Sequence, residues 1–456
     1  MRPMRNKKAY SSFLTSHSEL KGIDLLIPDL NGILRGKRIQ PSALKKVYQD
    51  GLCLPASVFA SDITGTTVEE TNLGVATGDA DRICQPVDHT LTLAPWYEKP
   101  LGQVLLSMYE TDGSPFFADP RHILKSIWDQ FKPMNLNPVV AVELEFYLID
   151  AKRTKTRQPQ PPISPGLGVR DNNTQVYSID DLDNYGEFID TVSDIAKQQG
   201  LPAETALAEY APGQFEINLT HCDDPVRACD NAIFLKRLIK GVAKKLGMRA
   251  TFMAKPYGNQ AGSGTHIHCS MMQGKKNIFS DPKKKNGSKL LHHAVGGLTT
   301  MMKESIALFC PNPNSYRRFQ PDLYVPMAPT WGVDNRTVSI RIPLGPEKAK
   351  RIEHRVSGAD ANPYLVVGAV LSGIHHGITN KIQPQPISTG DAIATHKPSL
   401  PLEWQDGLKQ FKKSKLMKQY FGKKFCNVYT SIKEKEMELF KAHVTPLEFD
   451  WYLNSV

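Results

Sequence analysis

Val139-Val140-Ala141-Val142-Glu143-Leu144-Glu145-Phe146-Tyr147-Leu148-Ile149 is an apolar run interrupted by two carboxylates, and its reading decides the fold. So many β-branched and aromatic residues predict a strand. Side chains alternate along it, so Val142, Leu144, Phe146 and Leu148 share one face. Glu143 and Glu145 share the other, with Cα atoms about 6.5–7 Å apart. Two like charges this close either raise their pKa values or are compensated by a cation, because an unpaired ion in apolar surroundings costs several kcal/mol. A lone E-x-E strand equally fits a wet sheet face beside lysine or arginine. Other segments have to decide.

In Gly262-Ser263-Gly264-Thr265-His266-Ile267-His268-Cys269-Ser270, a glycine-rich turn feeds a strand with His266, His268 and Ser270 on one face and Ile267 and Cys269 on the other. Imidazole and carboxylate together form a common divalent-metal donor set. Glu209-Tyr210-Ala211-Pro212-Gly213-Gln214-Phe215-Glu216-Ile217-Asn218-Leu219 adds one acid before a Pro-Gly turn and one on the strand after it. In Asn335-Arg336-Thr337-Val338-Ser339-Ile340-Arg341-Ile342-Pro343, the apolar Val338, Ile340 and Ile342 point inward and leave Arg341 on the polar face, with Arg336 at the start. Lys348, Glu353 and Arg355 follow. Singly, each arginine reads as a surface ion pair; jointly with the acids and histidines, they point to metal-bridged phosphate chemistry on a carboxylate substrate.

Over nearly its whole length the chain resembles the glutamine synthetase family. The likeness is carried by Asn31-Gly32-Ile33-Leu34-Arg35-Gly36-Lys37, the Glu143-x-Glu145 strand, Glu209 to Glu216, and Lys255-Pro256 leading into Gly262 to His268. It continues through Asn314-Ser315-Tyr316-Arg317-Arg318, Trp331 with Asn335-Arg336, Arg351-Ile352-Glu353-His354-Arg355 and Asn362-Pro363-Tyr364. The resemblance implies one divalent ion, Mg²⁺ or Mn²⁺, on Glu145, Glu209 and Glu216, and a second on Glu143, His266 and Glu353. It implies ATP contacts at His268, Ser270, Arg336, Arg341 and Lys348, with Arg336 and Arg341 catalytic, and L-glutamate contacts at Gly262, Arg318 and Arg355. It further implies ATP-driven amide formation through γ-glutamyl phosphate. The implied fold is α+β: a small β-grasp amino-terminal domain, and a catalytic domain whose curved antiparallel sheet carries helices outside. Subunits are expected to form stacked hexameric rings, a dodecamer, with each site completed by a neighbour's first domain.

Departures from the family pattern sharpen the expectation. The family's flap glutamate, six residues after the position of Arg318, is here Tyr324, and a neutral phenol with a pKa of about 10 cannot attract ammonium as a carboxylate does. The family's ammonium-binding aspartate corresponds loosely to Asp62 in Phe59-Ala60-Ser61-Asp62-Ile63-Thr64-Gly65, and the asparagine before the glycine matching Gly262 is Ala261. With the activating half retained and the ammonia half changed, the chain looks like the γ-glutamylpolyamine or γ-glutamylputrescine synthetase branch, joining glutamate to putrescine or another amine in polyamine metabolism. The stretch Val444 to Leu453 also resembles that branch. An ordinary glutamine synthetase using ammonia and a catalytically silent relative stand as alternatives.

Composition agrees with such an enzyme. The 456 residues suffice for two domains, and the junction is expected near Asp112-Gly113-Ser114-Pro115, giving 1–112 and 113–456. Strand-like Ile23 to Ile27 before Asn31-Gly32 reads as a hairpin, and Asp119-Pro120 opens a helix. Residues 153–170 and the segment from Asp281 through Lys283-Lys284-Lys285 to Gly287 read as loops. No run of 18 apolar residues and no apolar leader after Met1 are seen, so no membrane role and a cytoplasmic location are expected. Seven cysteines without C-x-x-C spacing argue against a disulfide framework or zinc knuckle. The net charge of +10 gathers partly in Leu408 to Lys424, which reads as an amphipathic helix with a solvated basic face; no accompanying motif supports nucleic-acid binding.

Overall fold

The structure, a computed structural model, describes residues 7–172, 175–284, 286–320 and 323–456. Met1 to Asn6 of the expected leaderless start, Lys285 of the lysine loop, and Pro321 and Asp322 beside Tyr324 lie outside the described residues.

The amino-terminal sheet contains β1 (Gly22–Pro28), β2 (Leu34–Ile39), β3 (Leu52–Pro55), β4 (Asp81–Pro86), β5 (Thr92–Ala94) and β6 (Leu101–Tyr109). Its order is β2-β1-β6-β4-β3, with β5 beside β6. β1 runs parallel to β6 and antiparallel to β2, and a helix, Leu44–Asp50, crosses between β2 and β3. That is the β-grasp arrangement. The expected hairpin forms because Asp29 Oδ1 accepts the N–H groups of Asn31 and Ile33, both at 2.9 Å. Gly32 takes the φ of +74° that a Cβ would penalise.

The larger sheet is built on β7 (Asn137–Asp150), with β8 (Ala203–Ala208), β9 (Gln214–Leu219), β10 (Met248–Thr251), β11 (Thr265–Gln273), β12 (Lys276–Asn277), β13 (Trp331–Val333), β14 (Ile340–Ile342) and β15 (Ile352–His354). Its main path is β13-β14-β15-β11-β7-β9-β8. All pairings in it are antiparallel except β13 with β14. Val142, Leu144, Phe146 and Leu148 are buried as their alternation demands, as are Ile267 and Cys269 on β11. Burying each large apolar side chain contributes roughly 1.5–3 kcal/mol, and this apolar face fixes the register. The long helices Pro225–Lys245, Lys289–Phe309 and Pro363–Thr379 lie outside the sheet. Register places His266 opposite Glu143, Glu216 opposite Glu145, and both His268 and Arg341 opposite Glu353.

One expectation needs correction. Leu408 to Lys424 is not a single amphipathic helix but Trp404–Lys413, Lys415–Phe421 and the start of Lys423–Ala442. Ser414 ends the first and caps the second, its Oγ accepting from the Met417 N–H at 2.9 Å. After the break Met417 and Phe421 are buried, as Phe411 is before it, while Lys409, Lys412, Lys413 and Lys415 stay exposed.

A buried ion pair ties the two sheets' surroundings together. Arg121 donates from Nε and Nη2 to Asp230 at 2.8 Å each, and from Nη1 to Ser107 on β6. Tyr364 donates to the same carboxylate at 2.6 Å, and His89 Nε2 lies 3.0 Å from it. Burial alone would raise the Asp230 carboxyl, but Arg121 holds it well below the usual range. Replacing Asp230 by Ala strands a buried guanidinium, so an unfolding free energy lower by about 3–5 kcal/mol is expected in urea titrations. A loss below about 1 kcal/mol would contradict this account.

Candidate active site

The polar face of the larger sheet gathers carboxylates from three strands and one turn. Ligand atoms of Glu145, Glu209 and Glu216 lie within 4.8 Å of one another, as do those of Glu143, Glu216 and His266. Glu145 and Glu216 face each other across β7 and β9, where like charges destabilise. Glu145 Oε2 accepts the Gly264 N–H at 2.7 Å, which anchors the glycine turn. Glu143 bridges two imidazoles, with Oε1 2.7 Å from His266 Nδ1 and Oε2 2.9 Å from His268 Nε2.

Electrostatics divides these acids. Burial and the charges of Glu143 and Glu145 push Glu216 up to about 11, and burial with Glu145 pushes Glu209 up to about 7. Glu143 goes the other way: burial would raise it, but the two imidazoles hold it well below its ordinary value. Burial and Arg355 lower His266, yet Glu143 and Glu145 outweigh them and raise it. Glu353 is likewise opposed by burial, but Arg355, His266 and His268 bring it down to about 2. An array that must otherwise hold protons above neutral pH is suited to divalent cations, and oxygen donors with one imidazole suit Mg²⁺ or Mn²⁺. The residues present fit that group.

The sequence-expected residues divide by position. Glu145, Glu209 and Glu216 lie together as one donor group. In the second, Glu216 joins Glu143 and His266; Glu353 lies 3.9 Å from His266 Nδ1 and is held by Arg341 at 2.8 Å and by Arg355. Ser270 is buried and donates to the Lys350 carbonyl. Arg318 is buried, donating to the Val356 carbonyl at 2.5 Å, and a Cβ on Gly262 would stand 2.7 Å from its stem. The Nε groups of Arg318, Arg341 and Arg355 are buried without a partner among the described residues. Arg336 and Lys348 are exposed, and their side chains make no hydrogen bond or ion pair with the carboxylates among the described residues. Tyr324 is 65% exposed and takes a φ of +53°. Asp62 is not brought to the acids of its own chain: Oδ1 accepts from Thr64 and Thr66 within its own loop, and Oδ2 is buried without a partner.

Residue-by-residue reading gave no role to several side chains at the site. Arg351 Nε donates to His268 Nδ1 at 3.1 Å, which leaves the His268 proton on Nε2, aimed at Glu143. Its period-two spacing with Glu353 and Arg355 was a usable signal. Asn218 donates to Glu216 at 3.1 Å from two positions along the same strand. Tyr147 and Gln214 pin the glycine turn through the carbonyls of Ala261 and Gly262.

An α+β enzyme with paired cation-binding acid groups and arginines with unmet donors is a metal-dependent catalyst acting on anionic substrates. A family model described as glutamine synthetase, catalytic domain, matches residues 117–452, and the chain belongs to the glutamine synthetase family. It is 44% identical over 444 residues to gamma-glutamylputrescine synthetase PuuA of Escherichia coli (strain K12), covering 97% of this chain and 94% of that protein. It is 31% identical over 454 residues to a glutamate–isopropylamine ligase of Pseudomonas sp, covering 97% of each. The solved structure of GmaS without ligand superposes with a TM-score of 0.82 at 25% identity, over 97% of this chain and 98% of that one.

The raised acids give a pH prediction. Glu209 and Glu216 bind protons more tightly folded than unfolded, where a glutamate pKa is about 4.3, so their contribution to stability is full below that pH and declines as pH rises through their folded values. The melting temperature of metal-free protein is therefore expected to fall from about pH 5 to about pH 9, and added Mg²⁺ or Mn²⁺ to flatten the fall. A metal-independent profile in differential scanning fluorimetry would contradict the assignment.

Proposed function

We propose that this chain is an ATP-dependent ligase joining the γ-carboxylate of L-glutamate to an organic amine, with putrescine the foremost candidate. The observation that carries the reading is a complete anion-activating face, with two acid groups for cations and three arginines with unmet donors, beside a flap position held by Tyr324 instead of a carboxylate. The identity to PuuA over nearly the full chain supports the choice of putrescine. No helix among the described residues is long and apolar enough to cross a membrane.

In this reading a γ-carboxylate oxygen attacks the terminal phosphorus of ATP, the bond to ADP breaks, and γ-glutamyl phosphate forms. The amine nitrogen then attacks the carbonyl carbon, phosphate leaves with the C–O electron pair, and the nitrogen loses a proton. Arg318, Arg355 and the turn at Gly262 hold glutamate. His268, Ser270, Arg336, Arg341 and Lys348 hold the nucleotide, with Arg336 and Arg341 offsetting charge on the transferring phosphoryl group. Divalent cations on Glu145, Glu209 and Glu216, and on Glu143, His266 and Glu353, would supply charge neutralisation at the phosphates and the carboxylate. Tyr324, on an exposed segment, brings no carboxylate to attract ammonium, and its aromatic ring offers an apolar surface to the methylenes of a larger amine.

The reading extends to assembly. Domains at 1–112 and 113–456, in stacked hexameric rings, would let a neighbour's first domain bring Asp62 to the amine side. The exposed Leu447, Phe449, Trp451, Tyr452 and Leu453 of the carboxyl-terminal segment support contact between copies.

The test is glutamate-dependent ADP release with ammonia, putrescine, spermidine, ethanolamine and monoamines, products being identified by mass. A γ-glutamyl amide of an organic amine, with little glutamine, is expected; turnover with ammonia alone would return the reading to glutamine synthetase. Glu143→Ala and His266→Ala are each expected to cut turnover about 10²-fold or more with circular dichroism unchanged. Normal turnover in either would refute the site. Tyr324→Glu is expected to raise the use of ammonia relative to diamines by about tenfold, and unchanged selectivity would remove the flap as discriminator.

A further inference from the structure

We propose that the cavity between the amino-terminal sheet and the helix Pro225–Lys245 is a ligand site for a small organic anion with a flat, apolar body. The cavity holds about 500 Å³, within the span of small-molecule sites. One wall is aromatic, made by Trp96, Tyr97 and Phe252, with Ile63 and Met253 at its edge. Gly241 lets the indole lie directly on the helix, since a Cβ there would stand 2.6 Å from the Trp96 ring.

The helix beside these rings supplies cations. Lys236, Lys240 and Lys244 recur every four residues, so they form one column along the helix. Like charges stacked this way repel unless something negative lies among them, and no carboxylate among the described residues pairs with any of the three. Of the two nearby acids, Asp24 is engaged by Arg237 and Arg38, while Asp360 takes Asn312 and Ser315 on Oδ2, keeps a buried Oδ1 without a partner among the described residues, and offsets part of the charge on Lys236 alone. Lys236 and Lys240 both stand over the Phe252 ring, at 5.2 and 5.6 Å, marking where charge and a flat surface meet. Burial, together with the charge of Lys240, pushes Lys236 down to about 7 against the opposing charge of Asp360. A cationic polyamine would be repelled here, so the cavity is distinct from an amine site. An aromatic carboxylate or sulfonate satisfies both the rings and the lysines.

Lys236 also connects the cavity to the proposed glutamate grip. Its ammonium donates to the carbonyls of Ala359, at 2.5 Å, and Ala361, at 3.3 Å. Between them, Asp360 receives Asn312 and Ser315 at 2.6 and 2.7 Å, at the head of the short helix that leads into Arg318. An anion that draws Lys236 away loosens this clamp, so occupancy raises the KM for glutamate with kcat little changed. This coupling, unlike the binding, rests on the function proposed above.

The test uses full-length protein with glutamate and a non-hydrolysable ATP analogue saturating the catalytic face. Calorimetric titration with 1-naphthoate is expected to give one site per chain, and the neutral isostere 1-naphthamide to bind at least about tenfold more weakly. Lys240→Glu, at an exposed position, and Lys240→Gln are expected to weaken naphthoate binding, the former by about tenfold or more. Absence of saturable binding, equal binding of the amide, or unchanged affinity in both variants would each overturn the site. Naphthoate binding with an unaltered glutamate KM would overturn the coupling. Because binding is read without turnover, an inactive protein that still binds naphthoate would count against the catalytic reading alone.

Discussion

Mutual repulsion among Glu143, Glu145, Glu209 and Glu216 is the constraint on which the rest depends. Four carboxylates converge on one sheet face, and the protein relieves the strain unequally, lowering the pKa of Glu143 between two imidazoles while those of Glu209 and Glu216 are raised. Such an arrangement is unfavourable for stability and useful for binding cations. The apolar face behind it, with Val142, Leu144, Phe146 and Leu148 buried, is what lets β7 hold both acids in register.

The arginines repeat the theme with opposite sign. Arg341 and Arg355 bracket Glu353, and each, like Arg318, keeps a buried Nε unmet among the described residues. A buried donor without an acceptor costs about 1–3 kcal/mol, a penalty that an anionic substrate would remove. Clustered acids and guanidinium groups on one face are complementary to a metal–phosphate–carboxylate assembly. Arg336, Lys348 and Tyr324 stand exposed around it.

Much of this was legible in the chain because strand alternation is a local property. The partition of β7 into apolar and acidic faces, the placing of His266 and His268 together, and the Asn31-Gly32 hairpin all follow from neighbours along the sequence. What escaped depends on distance or on competition. Asp230 and Arg121 lie 109 residues apart, and nothing local marks them as partners. Ser414 suits a helix interior poorly and an N-cap well, so it breaks a lysine-rich run whose apolar spacing otherwise reads as continuous. Glu353 was legible as an acid beside arginines, but the guanidinium contacts of Arg341 and Arg355 that hold it join residues on separate strands or two positions apart and were not specified by the spacing. The lysine column beside Trp96 has visible four-residue spacing, yet the aromatic residues of that cavity come from positions 96, 97 and 252.

The central claim is that one strand's paired carboxylates serve two adjacent cations. Electron paramagnetic resonance of the full-length protein with Mn²⁺, glutamate and a non-hydrolysable ATP analogue tests this most directly. The account predicts at least two ions per chain with the signature of exchange-coupled Mn²⁺, reduced to one uncoupled ion in Glu145→Gln. A single isolated ion in the unaltered protein, or a spectrum that Glu145→Gln leaves unchanged, would contradict it.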